Sequence, residues 1–316
     1  MSLDSTAAGR GTLLRQLAAV KLRAHRLDPT VRALIWTAAA GLIFAVLNAA
    51  MRAQSLIMDP YQVQFLRYLL GTVIMLPLIW RAGFRAYIPK KISGHFSRGF
   101  VHTLGLVVWF TALPKITMAD MTAIGFTGPI FIMIGAYLFF NEPMRWERWL
   151  AALIGFAGVL IVVGPKLSGA GGHYNLIMLA SAPIFAASFL MTKSLARIDR
   201  PEVIVAWQGI TVTLFSLPMA LLHWQAPSLL QWFIFLLCGM MGSAAHYCIT
   251  RSYKIADISA TQSVKFLDLV WSALIGWLMF SDSPSQSTLI GGTVICASTI
   301  WIAHREAKRA LLRAID

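Results

Sequence analysis

The sequence predicts an all-α integral membrane protein: ten transmembrane helices arranged as two inverted five-helix repeats. Three observations predict it. Of 316 residues, 58% are hydrophobic and only 13% are charged. A soluble domain sits near about 45–50% apolar and about 25% charged, so one globular core cannot hide this excess. The apolar residues fall in runs of about 20, the length that crosses roughly 30 Å of hydrocarbon. Finally, the second half of the chain repeats the first.

The runs are 32–51, 61–80, 97–114, 117–140, 146–164, 175–196, 202–222, 229–250, 258–280 and 286–304, numbered below as spans 1 to 10. Helices are the form they take, because a closed barrel would show alternating strands of about ten residues. Span 1 has the basic flank of a signal peptide, but it has a partner in the second half and is read as retained. Before it, Leu13, Leu17, Val20, Ala24 and Leu27 recur at helical spacing among Arg and Lys. Residues 10–27 therefore fit an amphipathic helix on the anionic inner leaflet or a disordered basic tail equally well.

The formal net charge of +14 does not mark a nucleic-acid binder, because the basic residues sit between the apolar runs. Taking the N-terminus as cytoplasmic, 22 of the 27 Lys and Arg fall on that side, Arg98 of the 2–3 loop and Arg145 and Arg148 of the 4–5 loop among them. The other side holds Arg52, Lys115 and Lys166, while Arg67 and Lys265 lie inside spans. This bias places both termini in the cytoplasm. Cys238, Cys248 and Cys296 all lie in apolar runs with no metal-ligand spacing, and read as small apolar helix residues.

The halves match at an offset of 140–141 residues. Gly41-Leu-Ile-Phe-Ala45 matches Ala182-Pro-Ile-Phe-Ala186, Arg52 matches Lys193, Pro60 matches Pro201, and Pro77 matches Pro218. Phe140-Asn-Glu142 matches Phe280-Ser-Asp282. Five spans per copy is odd, so the second copy enters the membrane from the opposite side. Inverted repeats are an architecture of secondary transporters, which rock one half against the other around a midplane site. The predicted divisions are a basic segment 1–31, repeats 32–164 and 175–304, and a basic tail 305–316.

The chain resembles an EamA-type member of the drug/metabolite transporter superfamily over about residues 32–304. The resemblance is carried by Ala112-Leu-Pro-Lys-Ile-Thr-Met-Ala119, Gly128-Pro129, Leu138-Phe-Phe-Asn-Glu-Pro143 and Trp149-Leu-Ala-Ala-Leu-Ile-Gly-Phe-Ala-Gly158. The second copy repeats it in Tyr253-Lys-Ile-Ala-Asp-Ile-Ser-Ala260, Phe266-Leu-Asp-Leu-Val-Trp271 and Phe280-Ser-Asp282. It departs at Asp282, where the pattern more often has Glu, and in lacking counterparts of Gly155 and Gly158. It implies the fold strongly and the substrate weakly, since relatives carry amino acids, drugs, vitamins and nucleotide-like cofactors. It favours export slightly over uptake.

Charges inside spans are costly and mark candidate sites. Lys265 and Asp268, at i and i+3 in span 9, share a helix face and can pair. In the repeat register they face Gly125 and Gly128 of span 4, where Gly125-Phe126-Thr127-Gly128-Pro129 favours a kink with freed carbonyls. A polar or zwitterionic solute fits between a broken helix and a charge pair; the alternative is an ion pair that only fixes packing. Arg67, near Gln62 and Gln64, lines a vestibule or snorkels to the interface. His102 and His246, on the corresponding spans 3 and 8, suit a proton relay or plain hydrogen-bonded packing. Asn48, Gln208 and Gln262 are further polar residues in spans. Trp109, Trp207, Trp271, Phe126, Phe131 and Phe266 are candidates for an aromatic lining, Trp271 foremost as one turn beyond Asp268. Glu142 and Asp282 each end one span and precede another, complementing a helix dipole, and Pro143 fits a helix start.

The expected substrate site is thus Lys265, Asp268, Trp271, Gly128, Pro129, Trp109, Arg67 and His246, with no metal and no cofactor. No metalloprotease, hydrolase or phosphate-loop motif occurs, so the chain reads as a carrier without its own ATP drive, and not an enzyme. The function expected is alternating-access transport of a small amphipathic or zwitterionic metabolite across a bacterial inner membrane. The partners are that metabolite and the lipid bilayer, not nucleic acid, and the reading is compatible with a homodimer. The competing classes are a lipid flippase and a membrane-embedded enzyme, for which Asp257, His246 and Arg251 are the nearest polar cluster.

Overall fold

The computed structural model describes residues 28–116, 118–125, 127–143, 145–164, 172–281 and 286–313. The basic segment 10–27, Phe126 and Asp282 lie outside the described residues, as does the side chain of Phe266. Among the described residues there are twelve α-helices and no strand. They are α1 (Pro29–Ser55), α2 (Pro60–Ala82), α3 (Ile92–Ala112), α4 (Met118–Gly125), α5 (Gly128–Phe140), α6 (Trp146–Val163), α7 (Gly172–Ala196), α8 (Pro201–Leu222), α9 (Leu229–Ile255), α10 (Ile258–Gln262), α11 (Leu267–Phe280) and α12 (Gln286–Arg313).

Local chemistry sets the starts. The Asp28 carboxylate accepts from Thr30 N at 2.7 Å, Asp59 accepts from Tyr61 N and Gln62 N at 2.9 and 3.1 Å, and Pro29, Pro60 and Pro201 each open their helix. Proline is suited there because its missing N–H would have had no partner. Among the described residues six helices are long and apolar enough to cross a membrane: α1, α2, α3 with its short extension to Lys115, α7 from His173, α8 and α9. Large apolar side chains such as Trp80, Phe139, Leu229, Leu278 and Ile300 cover the outside, a surface suited to lipid and not to water. This is a multi-pass membrane protein.

Spans 4 and 9 are not continuous helices. The break between α4 and α5 falls where Gly and Pro predict it. The break between α10 and α11, a 3-10 turn over Ser263–Phe266, was not expected, because no Gly or Pro marks it. Next to it Thr261 Oγ1 and Gln262 Nε2 donate to the Ile258 carbonyl at 2.7 and 2.9 Å, side-chain bonds to the backbone of the kind that accompanies helix ends.

The repeat is visible in the packing. Helix α1 packs on α9 as α7 does on α3, α2 on α9 as α8 does on α3, and α1 on α11 as α7 does on α5. Helices α2 and α8 pack together, as do α6 and α12. Asn141 and Ser281, equivalent at the 140-residue offset, both adopt left-handed backbone at φ 51° and 56°. One turn of each crossing depends on glycine. A Cβ on Gly239 would lie 2.5 Å from the Gly71 nitrogen and 2.9 Å from its Cα; at the equivalent crossing, a Cβ on Gly99 would collide with Thr211. Gly239→Leu is therefore expected to force α2 and α9 apart and cost about 3 kcal/mol or more. Gly292→Ala, which meets nothing within 4 Å, should hold or raise the melting temperature in detergent, since alanine favours the helix over glycine.

Candidate functional site

A cavity of about 220 Å³ lies between the two repeats. It is bounded by α1, α2, α3, α7 and α9 and by both broken spans. Seven of the eight expected residues line it: Arg67, Trp109, Gly128, Pro129, His246, Lys265 and Asp268. Trp271 does not, and Ser272 takes its place. On an α-helix i+4 returns to within about 40° of the starting direction and i+3 falls about 60° to the other side. The rotation of α11 favours the former. Of the remaining aromatic candidates, Trp207 instead donates its Nε1–H to the Tyr87 carbonyl at 2.9 Å and Phe131 is exposed. The aromatic wall is made by Trp109 with Phe44, Tyr68, Phe110, Phe185 and Phe189.

Charge enters this wall at three described side chains. Among the described residues no ion pair within 4.0 Å joins Lys265 to Asp268, contrary to expectation. The break in span 9 places Lys265 in the 3-10 turn and Asp268 in α11. Lys265 Nζ lies over the Phe189 ring, 5.0 Å from its centroid. Asp268 reaches across to α1, where its carboxylate occupies the space a Cβ on Gly41 would fill. Arg67 is 6% exposed and does not snorkel; its Cζ sits 4.3 Å from the Tyr68 ring centroid.

From Tyr68, His102 and His246 of the wall a buried polar chain runs outward. His102 Nδ1 meets Ser188 Oγ at 3.0 Å, and His102 Nε2 meets Tyr68 OH at 2.9 Å. Tyr68 OH also meets His246 Nε2 at 3.5 Å, and Gln208 Nε2 meets the same nitrogen at 3.1 Å. Gln208 Oε1 accepts from Arg98 at 2.7 Å, and Arg98 Nε donates to Thr192 Oγ1 at 2.5 Å. The two histidines share one tyrosine and belong to one network spanning both repeats. Arg98 was misplaced in the 2–3 loop: α3 begins at Ile92 and Arg98 is 1% exposed. The signal was available in His95, Arg98 and His102, which recur at helical spacing in an otherwise apolar run.

The contacts that seal the halves gather at the face where α1 begins. Glu142 caps a helix, but not the one that follows it. Its carboxylate accepts from Ile258 N and Ser259 N, each at 3.0 Å, and from Ser259 Oγ at 2.6 Å, holding the start of α10 in the other repeat. Lys193 Nζ donates to the carbonyls of Tyr253 and Ala256 at the end of α9, at 2.8 and 2.5 Å. Arg148 meets Asp257 at 3.4 Å and Ser259 Oγ at 2.9 Å, and His95 meets Asp199 at 2.9 Å. Asp257 and His246 thus belong to separate contact sets and do not assemble a polar site. At the opposite face Gln62 exchanges hydrogen bonds with the Gln225 backbone at 2.6 and 2.9 Å, and Arg52 lies over Phe280. Among the described residues no group of three or more His, Cys, Asp or Glu could hold a metal.

The model of the EamA-like transporter family matches residues 31–164 and again 173–303. The chain belongs to this family. As an EamA-like protein of the drug/metabolite transporter superfamily, it is 30% identical over 278 residues to a riboflavin transporter of Rhizobium johnstonii, covering 87% of this chain and 92% of that one. It is 26% identical over 248 residues to an S-adenosylmethionine uptake transporter of Rickettsia bellii, covering 78% and 85%. A solved crystal structure with 19% identity matches the EamA-like fold with a TM-score of 0.72, covering 88% of this chain and 98% of the other. The relatives support a metabolite transporter with a small-molecule substrate.

Proposed function

We propose that this protein is a secondary transporter of a small ring-bearing, amphipathic or zwitterionic metabolite of the vitamin or nucleoside-cofactor class. The observation that carries the reading is the cavity itself. It sits where both broken spans cross between the repeats, and combines aromatic walls with Arg67, Lys265 and Asp268. Aromatic faces suit a planar heterocycle, and a few fixed polar groups orient it. The transporter relatives named for riboflavin and S-adenosylmethionine have substrates that share that plan, a heteroaromatic ring with a polar tail.

In this reading α4 with α5, and α10 with α11, each cross the bilayer as one broken span, so ten spans alternate and both termini are cytoplasmic in a bacterial inner membrane. The face joined by Glu142, Lys193 and Arg148 is then cytoplasmic. The polar cluster an enzyme would need is divided between other contacts, so the protein moves its ligand unchanged. Transport runs down the substrate's own gradient or a coupled ion's.

Proteoliposomes test this directly. Riboflavin-class flux above that of empty vesicles is expected, and Asp268→Asn should lower it about tenfold or more, the loss of one charged contact to substrate. Flux at the background level for every vitamin and nucleoside tried would sink the reading. So would an Asp268→Asn protein that transports normally per folded molecule.

A further inference from the structure

We propose that Arg67 forms an anion subsite in the cavity, so that this protein selects metabolites bearing a carboxylate or phosphate over neutral or cationic counterparts. The proposal rests on the transporter reading above and adds the sign of the substrate's charge.

The buried cations outside the cavity wall are met by oxygen atoms. Arg98 donates to Thr192 and Gln208, Lys193 to two carbonyls, and Arg148 to Asp257 and Ser259. Arg67 differs. Among the described residues no hydrogen bond or ion pair satisfies its guanidinium, although it is 6% exposed and lines the cavity. It is also held in place. One face stacks on the Tyr68 ring at 4.3 Å, and Gly242 of α9 lies against it. A Cβ at Gly242 would come within 2.7 Å of an Arg67 terminal nitrogen and 2.9 Å of Nε, so the glycine makes the room in which the guanidinium sits.

A cation inside a membrane protein is costly unless an anion meets it. The described wall carries two cations, Arg67 and Lys265, and one carboxylate, Asp268. One positive charge is therefore left for a ligand to neutralise. The planar guanidinium fork matches the geometry of carboxylate and phosphate oxygens, and its stacked seat removes most of the ordering cost of binding. The aromatic walls receive the ring while Arg67 receives the anionic end. A positively charged substituent would meet two cations and one acid.

Two matched ligand pairs isolate the charge. Riboflavin and riboflavin 5′-phosphate share ring and side chain and differ in the phosphate. S-adenosylmethionine and S-adenosylhomocysteine differ in one methyl group and its sulfonium charge. Calorimetric titration of the full-length protein in lipid nanodiscs should show the phosphate ester binding about tenfold tighter than riboflavin, the contribution of one charge-assisted hydrogen bond. S-adenosylhomocysteine should bind more tightly than S-adenosylmethionine. Arg67→Gln should bring the flavin ratio to about one, and Arg67→Lys should retain part of it. Should Arg67→Gln fail to fold, Asp268→Asn serves instead: removing the wall carboxylate should raise the ratio above that of the parent. A flavin ratio at or below one, a preference for the sulfonium, or a ratio that neither variant moves overturns the subsite and leaves the ring-metabolite reading standing. Binding of none of the four compounds by folded protein overturns both.

Discussion

Glu142→Ala is expected to raise the alkylation rate of the native Cys248 by a polar maleimide about 100-fold, measured in a Cys296→Ser background. The carboxylate accepts two backbone N–H groups and one hydroxyl of α10, all across the repeat interface. Alanine leaves those donors without their partner, at a cost of about 3 kcal/mol, which is a factor of about 100 in an equilibrium constant. The cost falls on the state in which this face is closed. Cys248 reports on that state because it is buried in a cluster with Ala40, Ile132, Ala136, Ala186 and Ile258, and Ile258 is one of the residues that Glu142 holds. Cys238 is fully buried against other residues and serves as the unreactive control. Glu142→Gln keeps one acceptor oxygen and should give a smaller rise, about tenfold, because a neutral acceptor makes a hydrogen bond about half as strong. If Cys248 in Glu142→Ala reacts no faster than in the parent, the carboxylate does not hold this face shut.

The second large effect is expected at a residue with no polar atom in its side chain. Gly41→Ala should reduce transport about tenfold or more, as Asp268→Asn does, by displacing one charged contact. An added methyl at Gly41 would occupy the position of the Asp268 carboxylate. The group it meets is the end of a side chain, so the carboxylate rotates away and the helices stay in place. Alanine in place of glycine within α1 favours the helix by roughly 0.5–1 kcal/mol, so the melting temperature should hold or rise while transport falls. The flavin charge ratio should not follow that of Asp268→Asn, since the carboxylate is turned aside but not removed. Wild-type transport by Gly41→Ala would show that Asp268 works equally well outside its seat.

How much of this was legible in the chain differs from residue to residue. Lys265 and Asp268 stood out because a charge in an apolar run is conspicuous, and the break in span 4 because Gly and Pro announce it. The break in span 9 was hidden, since no Gly or Pro marks the 3-10 turn over Ser263–Phe266. Trp271 was chosen by spacing from Asp268, and the rotation of α11 presents Ser272 instead. Arg98 was lost to the loop because a basic residue near the start of a span looks like a flank, while its partners Thr192 and Gln208 lie 94 and 110 residues away. Glu142 was read as complementing the dipole of the helix that follows it, but the helix start it holds lies 116 residues on, in the other repeat.

The sequence by itself determined the solvent, the helical form and the repeat. Each of these follows from composition, run length or residues matched along the chain. Tertiary structure alone decided which face of each helix meets the cavity, which cations find oxygen and which are left facing it, and which residues join the two repeats. The physical reason is that lipid and protein core are both apolar. Hydropathy therefore says where a helix lies and not which way it turns, and a helix's rotation is set only when its neighbours pack against it.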